Sequence, residues 1–292
     1  MRPPVLTTCD ELRATQGAAT IVDASWIYGP FNHAGIDVRK RYDAAHIPGS
    51  WFLDLPSFSD PAERHDPRVE VITLPRPEVL RAVLAQAGDR PSSPIIVTDM
   101  DGGCTTAPFA RHALMHAGFD NVRLDGGTPA WRRGPVGLTA REPRDLSART
   151  VRRSSARAEG KTKVFADYGV VRQAIGEGNR AQIVDSRVDR SNRDVLPSDY
   201  VGLEVPATVY LPSSCVLEPA DEALRFRRGS ELCEIFKGAG IDSGGWKITT
   251  CYFGLGASVV ATALEIAGFD PVLVYPGSLI QYAVKEGLVQ LC

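Results

Sequence analysis

Cys251 closes the apolar run WKITTC (246–251) and opens CYFGLGAS, a glycine-bearing loop that leads into a stretch of helical period. Gly254 and Gly256 allow a tight turn in which successive backbone N–H groups converge as an anion nest. The helix N-terminus adds positive potential at the same place, with Ser258 expected as its capping side chain. Together these features favour a reactive thiolate without an imidazole partner. None is at hand in sequence: all five His lie between His33 and His116, so the second half has no imidazole of its own. Cys9, Cys215, Cys233 and Cys292 sit in no strand–glycine–helix context and read as structural. Cys104, in DMDGGCTTA, stands five residues beyond a strand end and reads as incidental. With no CxxC or paired spacing, the six cysteines form neither a disulfide framework nor a zinc site, and no cofactor or metal is expected. A phosphatase-like use of the Cys loop requires an Arg at its end, and no Arg follows Cys251 before the helix.

The elements that must position this thiol repeat along the chain. TIVDAS (20–25) matches QIVDSR (182–187), and HIPGSWFLDL (46–55) matches EVPATVYLPS (204–213). PIIVTD (94–99) aligns with WKITTC, placing Asp99 opposite Cys251, and HAGFDNVRLDGGTPAW (116–131) matches IAGFDPVLVYPGSLIQ (266–281). Short β-branched runs predict strands at 20–24, 50–54, 94–98 and 121–124, then at 181–185, 207–211, 247–250 and 271–275. Helical period appears at 76–87, 106–117, 229–238 and 257–267, the last apolar all round, as in a buried helix. Strands alternating with helices predict an α/β fold of mainly parallel sheets covered on both faces. The expected organisation is an N-terminal domain over 1–140, a linker over 141–162 and a C-terminal domain over 163–292. The linker's RTVRRSSARAEGKTK run carries six basic residues and reads as a solvated connection.

Composition sets the outer bounds. The 292 residues suit two domains of ordinary size. Hydrophobic residues make up 43% and charged residues 23%, which excludes wholesale disorder. With 33 Lys and Arg against 35 Asp and Glu, no general nucleic-acid-binding surface is expected. The longest apolar runs, such as SVVATALEIAG, fall short of the ~20 residues of a membrane span. MRPPVLTTCDELRA lacks the apolar core of a secretory signal, so a soluble protein of the cytosol or mitochondrion is expected.

The ordered set DAS, HIPG, AGF before a strand and LDGGxxAW resembles the tandem-domain rhodanese family, the thiosulfate and 3-mercaptopyruvate sulfurtransferases. The likeness spans about residues 5–288 and implies two rhodanese-like domains, with the reactive Cys in the second and Asp commonly at the equivalent place in the first. It implies that Cys251 takes a sulfane sulfur from a small anionic donor and passes it, as a persulfide, to a thiol or cyanide. Arg187 in IVDSR and Arg193 in RSNR fall where the family binds the donor, and a guanidinium fork suits a carboxylate or sulfonate. The loop Cys251-Tyr252-Phe253-Gly254-Leu255-Gly256 would cradle the donor, with Tyr252 offering a hydroxyl.

Several family features are replaced. Tyr252 and Phe253 stand where thiosulfate-type enzymes carry basic residues, and Phe253 occupies the mercaptopyruvate-type Ser position. Pro56 and Ile72 fall at that group's Asp and His positions, Gly256 sits where Thr is common, Glu204 replaces the His of HIPG, and DGS becomes Pro276-Gly277-Ser278. Two readings follow: a sulfurtransferase with an altered, more apolar pocket, or a rhodanese-fold accessory subunit of a larger assembly whose catalysis has decayed.

Overall fold

The computed structural model describes residues 4–14, 18–29, 32, 34–59, 61–69, 71–87, 94–124, 126–133, 137–147, 163–177, 181–191, 193, 195–220 and 223–291. His33, Cys292 and most of the basic run (148–162) lie outside the described residues. The chain divides into two units: Met1–Ser59, Leu74–Thr162 and Pro219–Arg225 form unit 1, and Asp60–Thr73, Lys163–Glu218 and Phe226–Cys292 form unit 2.

In unit 1, β1 (Thr20–Asp23), β2 (Trp51–Leu53), β3 (Ile95–Thr98), β4 (Val122–Leu124) and β5 (Arg144–Leu146) make one parallel sheet in the order β4-β3-β1-β2-β5. Every residue of β3, IIVT, is buried, the pattern of a strand covered on both faces. Its helices include α1 (Cys9–Ala14), α2 (Val38–Ala44), α3 (Pro77–Gln86), α4 (Ala107–His116) and α5 (Gly127–Arg132). Asp37 caps α2 by accepting the Lys40 N–H at 3.0 Å, and α3 buries Leu80, Val83 and Leu84 at helical spacing.

Unit 2 repeats the order. There β6 (Ala181–Asp185), β7 (Thr208–Tyr210), β10 (Trp246–Thr250) and β11 (Val272–Val274) form a parallel sheet, β11-β10-β6-β7. A separate pair, β8 (Leu217–Ala220) and β9 (Ala223–Phe226), falls between β7 and β10 along the chain, and most of it, Pro219–Arg225, is counted with unit 1. The helices are α6 (Tyr168–Glu177), α7 (Gly229–Gly238), α8 (Leu255–Ile266) and α9 (Ser278–Lys285).

Three expectations are modified. Residues 144–146, assigned to the linker, form β5: Leu146 is buried and the Arg144 guanidinium lies 5.3 Å from the Trp51 ring centre, so packing on β2 makes a strand of a polar triplet. The division is also not two contiguous blocks, since Asp60–Thr73 joins unit 2. There the buried Asp66 pairs with Arg68 at 2.6 Å and accepts the Tyr200 hydroxyl at 2.9 Å, while Arg68 reaches Asp199 at 2.9 Å. Finally, α8 begins at Leu255 and not 257, and its N-cap is Gly254. Ser258 lies inside the helix and turns its hydroxyl back to the Gly254 carbonyl at 2.9 Å, so it caps nothing.

Candidate active site

Cys251 follows the last residue of β10, at the carboxyl end of the sheet, where open α/β folds place their ligands. It is 4% exposed. The start of α9 holds its loop from behind. The Leu279 N–H donates to the Cys251 carbonyl at 3.1 Å, and the Ile280 N–H to that of Tyr252 at 3.3 Å. With these carbonyls tied back, the Gly254 N–H donates to Cys251 Sγ at 3.1 Å. Gly254 adopts φ +104°, and a Cβ there would press on the Pro276 carbonyl at 3.0 Å, so the turn requires glycine. Leu255, Gly256 and Ala257 form the first turn of α8, whose N–H groups have no acceptor within the helix.

Ser278, legible in the sequence only as part of a degenerate motif, places its hydroxyl beside the thiol. Its hydroxyl accepts the Cys251 N–H at 3.0 Å, donates to the Tyr275 carbonyl at 2.7 Å and lies 3.9 Å from Sγ. A serine carries a single hydroxyl hydrogen, so that proton serves either the carbonyl or the sulfur. Ser278 also adopts φ +46°, a left-handed conformation that costs a non-glycine residue about 1–3 kcal/mol and persists where surrounding bonds impose it.

Arg187 is placed differently from the expected donor-binding fork. It is buried, and its Nε and Nη2 grip Asp185 at 2.9 and 2.6 Å while Nη1 donates to the Leu203 carbonyl at 2.9 Å. Among the described residues, at least three of the five guanidinium N–H groups are therefore engaged inside the protein. The guanidinium also lies 5.8 Å from the Tyr252 ring centre. Tyr252 is buried and donates its hydroxyl to the Asp189 carbonyl, so that hydroxyl is turned to the protein. Burial pushes the Tyr252 phenol up to about 12 despite the opposing charge of Arg187, which keeps it a donor at neutral pH. Phe253 is buried beside it, ring centres 6.5 Å apart.

Arg193 is exposed in a turn, its backbone N–H 3.4 Å from Ser191 Oγ, and among the described residues no contact ties its guanidinium to Cys251. Arg190, not singled out from sequence, reaches Asp185 at 3.4 Å, pairs with Glu204 and lies over Tyr210. The signal for it was the Asp-x-Arg-x-x-Arg spacing after a strand, together with the acidic residue that replaced the His of HIPG. Among the described residues no cluster of three His, Cys, Asp or Glu is disposed to hold a metal, and no helix is long and apolar enough to cross a membrane.

Unit 1 shows what the equivalent loop does when a carboxylate replaces the thiol. Asp99, 1% exposed, accepts five backbone N–H groups: Asp101 and Gly103 on Oδ1, and Thr105, Thr106 and Ala107 on Oδ2, all at 2.8–3.0 Å. The nest is filled by the chain's own anion. Cys104 in this loop is fully buried, and burial followed by the charges of Asp99 and Asp101 pushes its thiol up, which disfavours its thiolate. Gly127, at φ +71°, is demanded here because a Cβ would collide with the Asp99 carbonyl.

A family model for the rhodanese-like domain matches residues 10–133. Over 97% of this chain and 95% of its own length, a Mycobacterium tuberculosis protein provisionally named thiosulfate sulfurtransferase SseB is 31% identical. Among solved structures, the 3-mercaptopyruvate sulfurtransferase SseA of Escherichia coli superposes with a TM-score of 0.73 at 25% identity, covering 94% of this chain and 98% of that one. A sub-stoichiometric sulfur transferase subunit of yeast mitochondrial complex I shares the fold, with a TM-score of 0.74 at 22% identity over 94% of both chains. The duplicated parallel sheets, the Cys251 loop at a strand's carboxyl end and the full-length relative agree: the chain belongs to the rhodanese family of sulfurtransferases.

Proposed function

We propose that Cys251 is the sulfur-carrying nucleophile of this protein. The observation that carries the reading is the Gly254 N–H directed at Sγ, 3.1 Å away, at the N-terminus of a buried helix. Such a donor and the helix dipole stabilise a thiolate and, after transfer, a persulfide anion. The thiolate attacks the sulfur of a small anionic donor, the outer sulfur of thiosulfate or the thiol sulfur of 3-mercaptopyruvate. The donor's S–S or C–S bond breaks, its electron pair leaves with sulfite or with pyruvate enolate, which takes up the thiol's proton as pyruvate, and Cys251–S–S⁻ remains. A thiol or cyanide then takes the outer sulfur and restores the thiolate.

Ser278 holds the Cys251 backbone and has a hydroxyl proton within reach of the sulfur. Arg187 acts as a positioning residue: fixed by Asp185, it supports the Tyr252 side of the loop. The loop Tyr252-Phe253-Gly254-Leu255-Gly256 forms the wall around the transferred sulfur, and Arg193 supplies an exposed positive charge for an incoming anion. Incubation with each donor, followed by peptide mass analysis, tests the reading: one sulfur, ~32 Da, appears on the Cys251 peptide and is removed by a thiol. The buried, aromatic loop also favours the accessory-subunit reading, in which the protein acts through partner proteins in the cytosol or mitochondrion. In that case no donor loads Cys251.

A further inference from the structure

Asp99 of unit 1 stands in the chain as a likeness of a sulfur-loaded Cys251. Counting back along α4 and α8 from HAGFD (116–120) and IAGFD (266–270), Thr105, Thr106 and Ala107 correspond to Leu255, Gly256 and Ala257. In unit 1 these three N–H groups converge on Asp99 Oδ2, at 2.9, 2.9 and 3.0 Å. An aspartate Oδ stands as many bonds from Cα as the outer sulfur of a cysteine persulfide. The outer sulfur on Cys251 is therefore directed to the N–H groups of Leu255, Gly256 and Ala257, as the carboxylate is in unit 1.

Around that position the two units exchange residue types. In unit 1 Thr106 donates its hydroxyl to the Ala24 carbonyl at 2.8 Å, and Leu55 is buried. Their counterparts in unit 2 are Gly256, which has no side chain, and Ser213, which brings a hydroxyl. A Cβ at Gly256 would lie 3.4 Å from the Ser186 carbonyl, 3.5 Å from Ser213 Oγ and 3.6 Å from Cys251 Cβ. Without that Cβ, a notch opens between Ser213 and Cys251, beside the N–H groups of the first turn of α8. Ser213 is 9% exposed, and its backbone N–H is fixed on the Ser186 carbonyl at 3.0 Å. Among the described residues its hydroxyl has no hydrogen-bond partner. A hydroxyl so nearly buried is costly unless something in the notch takes its hydrogen bond.

We infer that Ser213 is a further binding residue of this site: its hydroxyl donates a hydrogen bond to the outer sulfur of the Cys251 persulfide, seated in the Gly256 notch. The inference rests on Cys251 being the sulfur carrier. The proton stays on Ser213, and the persulfide charge is shared between this hydroxyl and the first turn of α8. The full-length protein is equilibrated with a mixture of a small alkyl thiol and its persulfide, whose outer sulfur passes to the Cys251 thiolate as the alkyl thiolate leaves. Peptide mass analysis gives the loaded fraction, free of any effect on donor recognition. Ser213→Ala should lower the loading constant about tenfold, the loss of one hydrogen bond to an anion. Gly256→Ala fills the notch at ordinary contact distances and should lower it by a similar factor. The double variant should fall little further than either single one, because both remove the same interaction. Melting temperatures no lower than the parent's verify the folds. A parent that loads, with equal loading in Ser213→Ala or Gly256→Ala or with fully additive losses in the double variant, would overturn this inference alone. A parent that stays unloaded would overturn the Cys251 reading and this inference together.

Discussion

Replacing Arg187 by Lys separates a positioning role from direct donor binding. The native side chain bonds both Asp185 oxygens and the Leu203 carbonyl, and both members of the ion pair are 2% exposed. A lysine keeps the charge but presents a single ammonium, which satisfies one Asp185 oxygen, leaves the Leu203 carbonyl without its donor and leaves the second oxygen only its weaker contact, to Arg190 at 3.4 Å or to the residue-187 N–H at 3.2 Å. One charged hydrogen bond (~1.5–3 kcal/mol) and one neutral one (~1 kcal/mol) are lost from a buried site, giving a destabilisation of about 2–4 kcal/mol. For a unit of this size that lowers the melting temperature by roughly 5–15 °C. Calorimetry reads the stability, and single-turnover sulfur loading reads the function. The maximum loading rate should fall by about tenfold or less as the Tyr252 side of the loop loosens, with the half-saturating donor concentration changed by less than about threefold. A melting temperature within about 2 °C of the parent, with donor affinity weakened roughly a hundred-fold, would refute the positioning role.

Other consequences follow from the same geometry. Asp99→Asn places an amide NH₂ against backbone N–H donors, so denaturant unfolding should show a loss of about 3 kcal/mol, with no sulfur chemistry gained at that loop. Ser278→Gly removes the hydroxyl but relaxes the left-handed backbone, whereas Ser278→Ala removes it and keeps the strain. Both should slow sulfur loading, and the Ala protein should be the less stable on urea titration. Burial alone would raise the Asp66 carboxyl, but the Arg68 and Tyr200 hydrogen bonds outweigh it and hold it below the usual range. Its stabilisation is thus present above the unfolded value of about 3.9 and lost as pH falls through the lower folded value. The urea midpoint should fall on acidification below about pH 4, and that component should vanish in Asp66→Asn.

Much of the fold is legible in the sequence because the paired strands carry their own signal. IIVT, KITT and VLV are apolar or β-branched runs at matching positions in two halves, and their observed bounds fall within one or two residues of the expected ones. The triplet RDL of β5 carries no such signal; it is a strand only because β2 offers an edge and Trp51 a surface for Arg144. The charged VRKRYDA of α2 is held to the core mainly by Tyr42, too little to show a helical stripe. At the site, strand, glycine and helix were enough to single out Cys251. The start of α8 is not legible in the sequence because Gly254 caps by its left-handed backbone, while Ser258 has the residue type of a cap and is an interior residue. Arg187 is singled out by the family resemblance as a donor-binding residue, and spacing alone does not reveal that Asp185, two residues earlier, pairs with its guanidinium. Ser278 was passed over because its strained φ, which carries its hydroxyl to the Cys251 backbone, exists only in three dimensions.

The most direct test of the central claim is the mass of Cys251 after reaction. The full-length protein is treated with 3-mercaptopyruvate or thiosulfate, alkylated, and its cysteine peptides weighed. A gain of one sulfur, ~32 Da, on the Cys251 peptide alone, reversed by a thiol and absent in Cys251→Ser, is the predicted result. An unmodified Cys251 with both donors, or sulfur carried instead on Cys215 or Cys233, would contradict it.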